Sequence, residues 1–238
     1  MNNWKKIWDN RRDSLGNIDK ENFRAVFAEL KRIDGYDING GATVDSQIHQ
    51  HENLSAALNL SAGENIFEVG CGAGANLYLF ARDGFEVGGL DYSATLLDIA
   101  KKILPAEKVS ELICAGADEL PTEKIFDAVI SVGVFIYFDN LAYAERVLEK
   151  MLFKSRRAIA VLDVYDADFE TELTTYRRRT IENYDERYKD FPKLFYPRTF
   201  FEDFAVRHAL KISFVANELE NYGNAPFTYH CFMDRSGF

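Results

Sequence analysis

Apolar residues recur along this chain at two periods. Short runs rich in strand formers lie at 65–69, 85–90, 112–115 and 157–163, the pattern of strands buried in a parallel sheet. Between and beside them, apolar positions fall on one face of a helix: Leu77, Phe80 and Ala81, then Leu96, Ile99, Ala100 and Ile103, then Leu141, Ala144, Leu148, Met151 and Leu152. That is the spacing of helices that bury one stripe. Gly84 follows the first helix where a terminal glycine belongs, Ser93 is placed to cap the second, and Pro105 stops it. Strand and helix alternating in this way predict an α/β fold with a parallel sheet and right-handed crossovers.

The flanks are less regular. Phe23, Val26, Phe27 and Leu30 recur at helix spacing, and Asp34-Gly35-Tyr36-Asp37 and Gly40-Gly41 break the pattern, as glycine-rich turns do. Residues 166–210 read as a charged, tyrosine-rich helical stretch that interrupts the core. Phe214-Val215 and residues 227–233 suit two last strands.

Where the first strand meets the first core helix the chain reads Phe67-Glu68-Val69-Gly70-Cys71-Gly72-Ala73-Gly74. Glycine on such a turn permits positive φ and lets a ligand approach bare backbone. The helix N-terminus behind it attracts a carboxylate or phosphate. Asp91 ends the second strand, the usual place of an acid that binds ribose hydroxyls in doubly wound folds. Gly70-x-Gly72-x-x-Ala75 also meets the loose form of a dinucleotide fingerprint. Two acids oppose that reading: Glu68 lies inside the strand, where a pyrophosphate would meet its charge, and Asp118 lies just past the run at 112–115. Acids near the loop and at the ends of the second and third strands suit a ligand with an ammonium or sulfonium group, a ribose and an adenine amine.

These residues resemble the core of class I S-adenosylmethionine-dependent methyltransferases over residues 60–165, and more loosely to the C-terminus. Glu68-x-Gly70-x-Gly72-x-Gly74 resembles the family's first motif, Asp91 its ribose-binding acid, and Asp118 in Ala117-Asp118-Glu119-Leu120-Pro121 its acid near the adenine amine. Residues 126–131 match its fourth strand, beneath the methionine part of the cofactor. The resemblance implies an α/β, Rossmann-like, seven-stranded and mostly parallel sheet with helices on both faces. It implies an antiparallel last strand, an N-terminal helical cap and a helical insertion after strand five. One methyltransferase domain would fill 1–238: a cap at 1–55, a cofactor-binding core at 60–165, an acceptor lid at 166–210 and C-terminal strands at 211–238.

It also implies roles. Glu68 would act at the amino or sulfonium side of S-adenosylmethionine or orient the loop. Gly70, Gly72 and Gly74 would admit backbone contacts, with Cys71 a small loop residue and Asn76 beside it. Asp91 would hold the ribose, Tyr92 and Leu120 would flank the adenine, and Asp118, with Ala117 and Glu119, would meet its amine. Ser131 and Val132 would underlie the methionine part. The product would be S-adenosylhomocysteine.

Composition narrows the acceptor. The 238 residues are 47% hydrophobic and 14% aromatic, and the formal net charge is −10. A nucleic-acid partner gripped by its phosphates calls for a basic face, so a small-molecule acceptor is expected and no nucleic acid. No run approaches a membrane span and the N-terminus lacks a signal-peptide apolar core, so no membrane partner and a cytoplasmic location are expected. Cys71, Cys114 and Cys231 stand apart without metal-ligand spacing, two of them in expected buried strands, and are read as reduced thiols. No metal site is expected. The chain would act as a monomer or homodimer.

Transfer to an oxygen or nitrogen that bears a proton needs a base. The C-terminal ends of the strands put Val134, Phe135, Tyr137, Phe138, Asp163, Tyr165 and Asp166 near the acceptor, and Tyr137, Asp163 and His230 are the catalytic candidates. His49 and His51 read as a solvated stretch and His208 as an exposed helical histidine. Arg177-Arg178-Arg179, the one basic cluster, reads as a salt-bridged helix face beside Glu170, Glu172, Glu182 and Asp185, or as a hold on an acceptor phosphate or carboxylate. Trp4, Trp8 and Arg11 would close over the cofactor carboxylate or pack on the core. The Trp4-x-x-x-Trp8 start and Tyr222-Gly223-Asn224 resemble methyltransferases of bacterial surface-polysaccharide or secondary-metabolite pathways, which implies a sugar, nucleotide-sugar or phosphorylated acceptor. Two other readings stay open: a non-catalytic S-adenosylmethionine-binding partner protein, and a nicotinamide-dependent oxidoreductase.

Overall fold

The computed structural model describes residues 3–9, 14–36 and 41–235. Seven strands form one sheet: β1 (Asn65–Val69), β2 (Glu86–Asp91), β3 (Val109–Cys114), β4 (Phe126–Val132), β5 (Ser155–Tyr165), β6 (Lys211–Ala216) and β7 (Thr228–Asp234), in the order β3-β2-β1-β4-β5-β7-β6. The first five are parallel, and β7 runs antiparallel between β5 and β6. The expected seven-stranded, mostly parallel sheet is therefore present, and strand order reverses beside β1, where doubly wound folds bind ligands.

Helices cover both faces. Leu54 and Leu58 at the end of α3 (Val44–Ala57), Leu77 and Phe80 of α4 (Ala75–Arg82), and Leu97 and Ala100 of α5 (Ala94–Ile103) pack against Ile66 and Ile130 on one side. On the other, Leu148 and Met151 of α6 (Leu141–Lys154) pack with Phe67, Val129 and Ile159. Successive strand residues point to opposite faces, so Ile66 and Phe67 serve different cores. The expected caps form: Ser93 Oγ accepts from Leu96 N–H, and Gly84 takes φ +99° just beyond α4.

Two short helices precede these, α1 (Trp4–Asp9) and α2 (Phe23–Ile33). Val26, Phe27 and Leu30 of α2 are buried against α4 and α5. α2 ends in a Schellman turn: Tyr36 N–H donates to Lys31 O (2.9 Å) and Gly35 N–H to Arg32 O (3.0 Å), with Gly35 at φ +89°. Such a turn fixes where the following side chains project, and it delivers Asp34 and Tyr36 to the C-terminal edge of the sheet. Asp37 and Gly40, part of the same expected break, lie outside the described residues.

The insertion after β5 holds α7 (Glu170–Thr180) and the short α8 (Tyr184–Tyr188). Within the segment expected as a lid, α9 (Arg198–Arg207) buries Phe201, Phe204 and Ala205 in the main core with Tyr229 and Met233. α7 lacks such an apolar stripe, burying Leu173 alone. Among the described residues no helix is long and apolar enough to cross a membrane.

Tight packing under β1 and β2 supplies a first test. A Cβ on Gly88 would sit 2.7 Å from the Phe126 ring and 2.8 Å from that of Phe67, closer than real contacts. Gly88→Ala should lower the unfolding free energy by about 1–3 kcal/mol, seen as a lower urea midpoint at unchanged slope.

Candidate active site

Glu68, on the last turn-ward residues of β1, is 1% exposed. Asn76 of α4 donates to its Oε1 (2.6 Å), and its Oε2 is buried with no hydrogen-bond partner among the described residues. Lys31 of α2 donates to Asn76 Oδ1 (2.9 Å) and lies over the ring of Tyr36 (4.7 Å). Burial pushes the Glu68 carboxyl up to about 8; Asn76 and Lys31 oppose that, and Asp34 and Asp91 reinforce it. Burial likewise lowers the Lys31 ammonium, against Asp34, Glu68 and Asp163.

The glycine loop is held by acids on both sides. Asp91 accepts from Gly72 N–H (3.0 Å) and Ser93 N–H (2.8 Å). Asp34 accepts from Ala73 N–H (2.8 Å). Gly72 has φ +53°, and a Cβ there would collide with Asp34 Oδ1, so only glycine fits. Cys71 is buried beneath β2, and burial pushes its thiol up. Tyr92, half-buried, follows Asp91. Lys31, Asp34 and Tyr36 were not among the expected site residues. Lys31 follows Phe27 by four, at the border of the buried stripe of α2, but a lysine there reads as solvated; for Asp34 and Tyr36 only Gly35 as a helix-ending residue hints at an inward turn.

At the end of β3, Ala117 and Leu120 are buried. Tyr143 of α6 donates to Asp118 Oδ1 (3.0 Å), while Glu119 caps its own turn by accepting from Gly116 N–H (2.9 Å). Of the two acids, Asp118 is the one held toward the sheet. At the end of β4, Ser131 Oγ donates to Val69 O (3.0 Å), tying β4 to β1 next to half-buried Val132; the Ser131 hydroxyl is thus committed to backbone. The cofactor-site residues expected from sequence line one edge of the sheet.

A second polar group sits at the end of β5. Pairing with β7 shifts register between Val161 and Val164, and Asp163 in that bulge has φ +57°. A non-glycine residue in this conformation is strained, and such strain gathers at working sites. Asp163 is buried. Tyr222 donates to its Oδ2 (2.7 Å) and Asn217 to its Oδ1 (3.3 Å), and burial raises its carboxyl. Asp163 N–H donates to His230 Nδ1 (3.1 Å). Burial takes the His230 imidazole down to about 4, so it is neutral near pH 7. Tyr137, in the turn after β4, packs edge-on against Trp4 (4.9 Å) and Trp8 (5.8 Å). Of the three catalytic candidates, Asp163 and His230 are joined by this bond, while Tyr137 lies in the turn after β4 against the tryptophans.

Other expectations change. His51 is not solvated: it is buried, packs on Phe80 (4.4 Å) and bonds Asp83 (2.8 Å). His49 is exposed beside Glu52. His208 packs on Phe204 (4.4 Å) rather than standing free. Trp4 joins the insertion, donating to Pro192 O (2.7 Å); Arg11 lies outside the described residues. Phe135 and Phe138 pack into the core with Tyr196 and Tyr143, and Asp166 is pinned by Arg198 (3.2 Å). The arginine run splits: Arg178 pairs with Asp185 (3.0 Å) on the surface, while Arg177 turns inward to Tyr165 and Asn224. Cys71 and Cys231 are buried, and Cys114, at the end of edge strand β3, is exposed.

A parallel sheet of this order, with a buried acid and glycine turn after β1 and an acid closing β2, defines the class I S-adenosylmethionine-dependent methyltransferase fold. Residues 67–155 match the methyltransferase-domain family. A malonyl-[acyl-carrier protein] O-methyltransferase of Priestia megaterium is 33% identical over 109 residues, 45% of this chain and 39% of that protein. A tRNA U34 carboxymethyltransferase of Photorhabdus laumondii is 32% identical over 79 residues, 32% of this chain and 24% of that protein. The chain therefore spans less than half the length of these curated relatives. The crystal structure of magnesium protoporphyrin IX methyltransferase from Synechocystis PCC 6803 with bound S-adenosylmethionine has a TM-score of 0.61 at 14% identity, covering 94% of this chain and all of that one.

Glu68 gives a pH test. A carboxyl held near 8, against 4.5 unperturbed, takes up a proton on folding. Its contribution to stability is complete below the lower value and is lost as pH climbs through the higher. Between about pH 5 and 8 the wild type should lose on the order of 2 kcal/mol relative to Glu68→Gln. Urea midpoints measure it; parallel pH profiles would contradict it.

Proposed function

We propose that this protein transfers the methyl group of S-adenosylmethionine to an oxygen or nitrogen of a small-molecule acceptor. The observation that carries the reading is the buried Glu68 carboxylate with its orphaned Oε2, set among Asp34, Asp91 and the glycine turn. Lys31 reaches Glu68 only through Asn76, so among the described residues the Glu68 carboxyl has no direct positive partner. An ammonium or sulfonium supplies it; a pyrophosphate would meet repulsion, which counts against a nicotinamide-dependent oxidoreductase. Bound S-adenosylmethionine provides an electrophilic methyl on a sulfonium. Glu68 and the glycine turn hold its amino-acid end, Asp91 its ribose, and Asp118 its adenine amine. Much of the acceleration then comes from orientation.

Asp163 is the proton acceptor in this reading. It lies beside Gly133 and Tyr36, Tyr222 and Asn217 aim its oxygens, and His230 fixes its strained backbone. Tyr137 walls the acceptor side. The net charge of −10 supports a small acceptor over nucleic acid, although a relative modifies tRNA. The same reading has a cytoplasmic enzyme acting as monomer or homodimer, on a sugar, nucleotide-sugar or phosphorylated metabolite. The strained, hydrogen-bonded Asp163 favours catalysis over a purely cofactor-binding role.

Calorimetry should find S-adenosylhomocysteine binding and no NADH binding. Asp91→Ala should weaken S-adenosylhomocysteine roughly 10–100-fold by removing charge-assisted hydrogen bonds. NADH binding without S-adenosylhomocysteine binding would refute the reading. Once an acceptor is found by product screening, Asp163→Asn should lower kcat by roughly 10²–10⁴-fold with S-adenosylhomocysteine affinity unchanged.

A further inference from the structure

A cavity of about 230 Å³ opens between the end of β5 and the helices α7 and α8. Tyr165, Leu173, Phe191 and Phe195 give it an apolar wall. Three cations line it, Arg177, Lys189 and Lys193, and the first and last make no ion pair among the described residues. Arg177 donates through Nη2 to Tyr165 Oη and to Asn224 Oδ1 (3.2 Å), yet its Nε is buried and has no hydrogen-bond partner among the described residues. Lys193 lies 3.4 Å over the Tyr137 ring and 4.1 Å over that of Trp4, with no ion pair or hydrogen bond among the described residues. The other charges on the wall are largely spent. Asp185 is bound by Arg178 (3.0 Å) and Lys189 by Glu186 (2.7 Å), leaving Glu170 as the remaining acid. Burial and the nearby Arg177 both lower the Lys193 ammonium, and Asp163 opposes them, so two like charges are crowded together with one buried carboxyl nearby.

The pocket is wired to the candidate base. Arg177 bonds Asn224, Asn224 Nδ2 donates to Tyr222 Oη (3.1 Å), and Tyr222 donates to Asp163 (2.7 Å). A guanidinium edge matches two oxygens of a carboxylate or phosphate, and a lysine adds a point charge.

We propose that this cavity binds the methyl acceptor by an anionic group: Arg177 and Lys193 grip its carboxylate or phosphate, and the apolar wall takes the adjoining carbon skeleton. The proposal rests on the methyltransferase reading above and narrows its acceptor to an anionic small molecule.

Titration calorimetry tests it with benzoate and phenyl phosphate against their neutral counterparts, benzamide and phenol, with and without S-adenosylhomocysteine. At least one anion should bind roughly tenfold tighter than its neutral counterpart, and which one does separates a carboxylate site from a phosphate site. Lys193→Met should erase most of that preference. Arg177→Lys serves as second variant, since it keeps charge but loses the fork; thermal melts of both report folding. Equal binding of charged and neutral probes, no binding of either anion, or a preference untouched in a folded Lys193→Met overturns the subsite. Failure of S-adenosylhomocysteine to bind strikes the methyltransferase reading instead, and the cofactor-free arm still judges the pocket.

Discussion

The arrangement hangs on a carboxylate buried at the tip of the central strand. Glu68 leaves water at considerable cost, and one of its oxygens has no hydrogen-bond partner among the described residues. What it has is Asn76 from α4, and through Asn76 the ammonium of Lys31 from α2. This short chain joins the sheet, the helix behind the glycine turn and the N-terminal cap. Buried polar groups that are only half satisfied lower stability. A ligand that supplies the missing positive charge converts that cost into binding, which is the physical case for a cationic cofactor at this edge.

The same chain explains what could be read from sequence. Strand runs, helix stripes and caps are local, so the alternation at 65–165 forecasts the sheet, and Glu68, Gly72, Asp91 and Asp118 fall on its C-terminal edge. Lys31 and Asp34 carry no such mark. Lys31 borders the buried stripe of α2, but its charge reads as solvated, and its inward partner, Asn76, lies on α4; Asp34 follows α2, where the Schellman turn at Gly35 sets its direction. His51 is similar: its burial depends on Phe80 and Asp83 of α4, which no period within α3 reveals. Lys154 is an extreme case, fully buried at the end of α6, paired with Glu111 (2.7 Å) and lying over the Phe67 ring (4.4 Å). A terminal lysine is ordinarily a solvated charge complementing the helix dipole.

The lid posed the opposite difficulty. Residues 166–210 share a charged, aromatic composition, so sequence treats them as one segment. Packing divides them. α9 sinks Phe201 and Phe204 into the core, while α7 and α8 keep their charges around the cavity. Within the arginine run, one residue of three turns inward because Tyr165 and Asn224 receive it, and both of these partners are remote in sequence or on another strand.

Seen whole, the polar groups at the C-terminal edge divide by sign. Glu68, Asp34 and Asp91 surround the glycine turn; Arg177 and Lys193 line the cavity past β5. Asp163 stands between them, strained in its bulge, tied to the basic side through Tyr222 and Asn224 and close enough to Lys31 to feel its charge. A methyl transfer from a cationic sulfur moves positive charge off the donor as the acceptor loses a proton. On the proposed reading, acids at the donor's end would hold the cation before transfer, and a buried carboxyl midway would take the proton, because burial has already raised its affinity for one. Cations at the far end would then fix an anionic acceptor without drawing it onto the acids. The division by sign would so order donor, base and acceptor along one edge, with the bulge of β5 setting Asp163 between them.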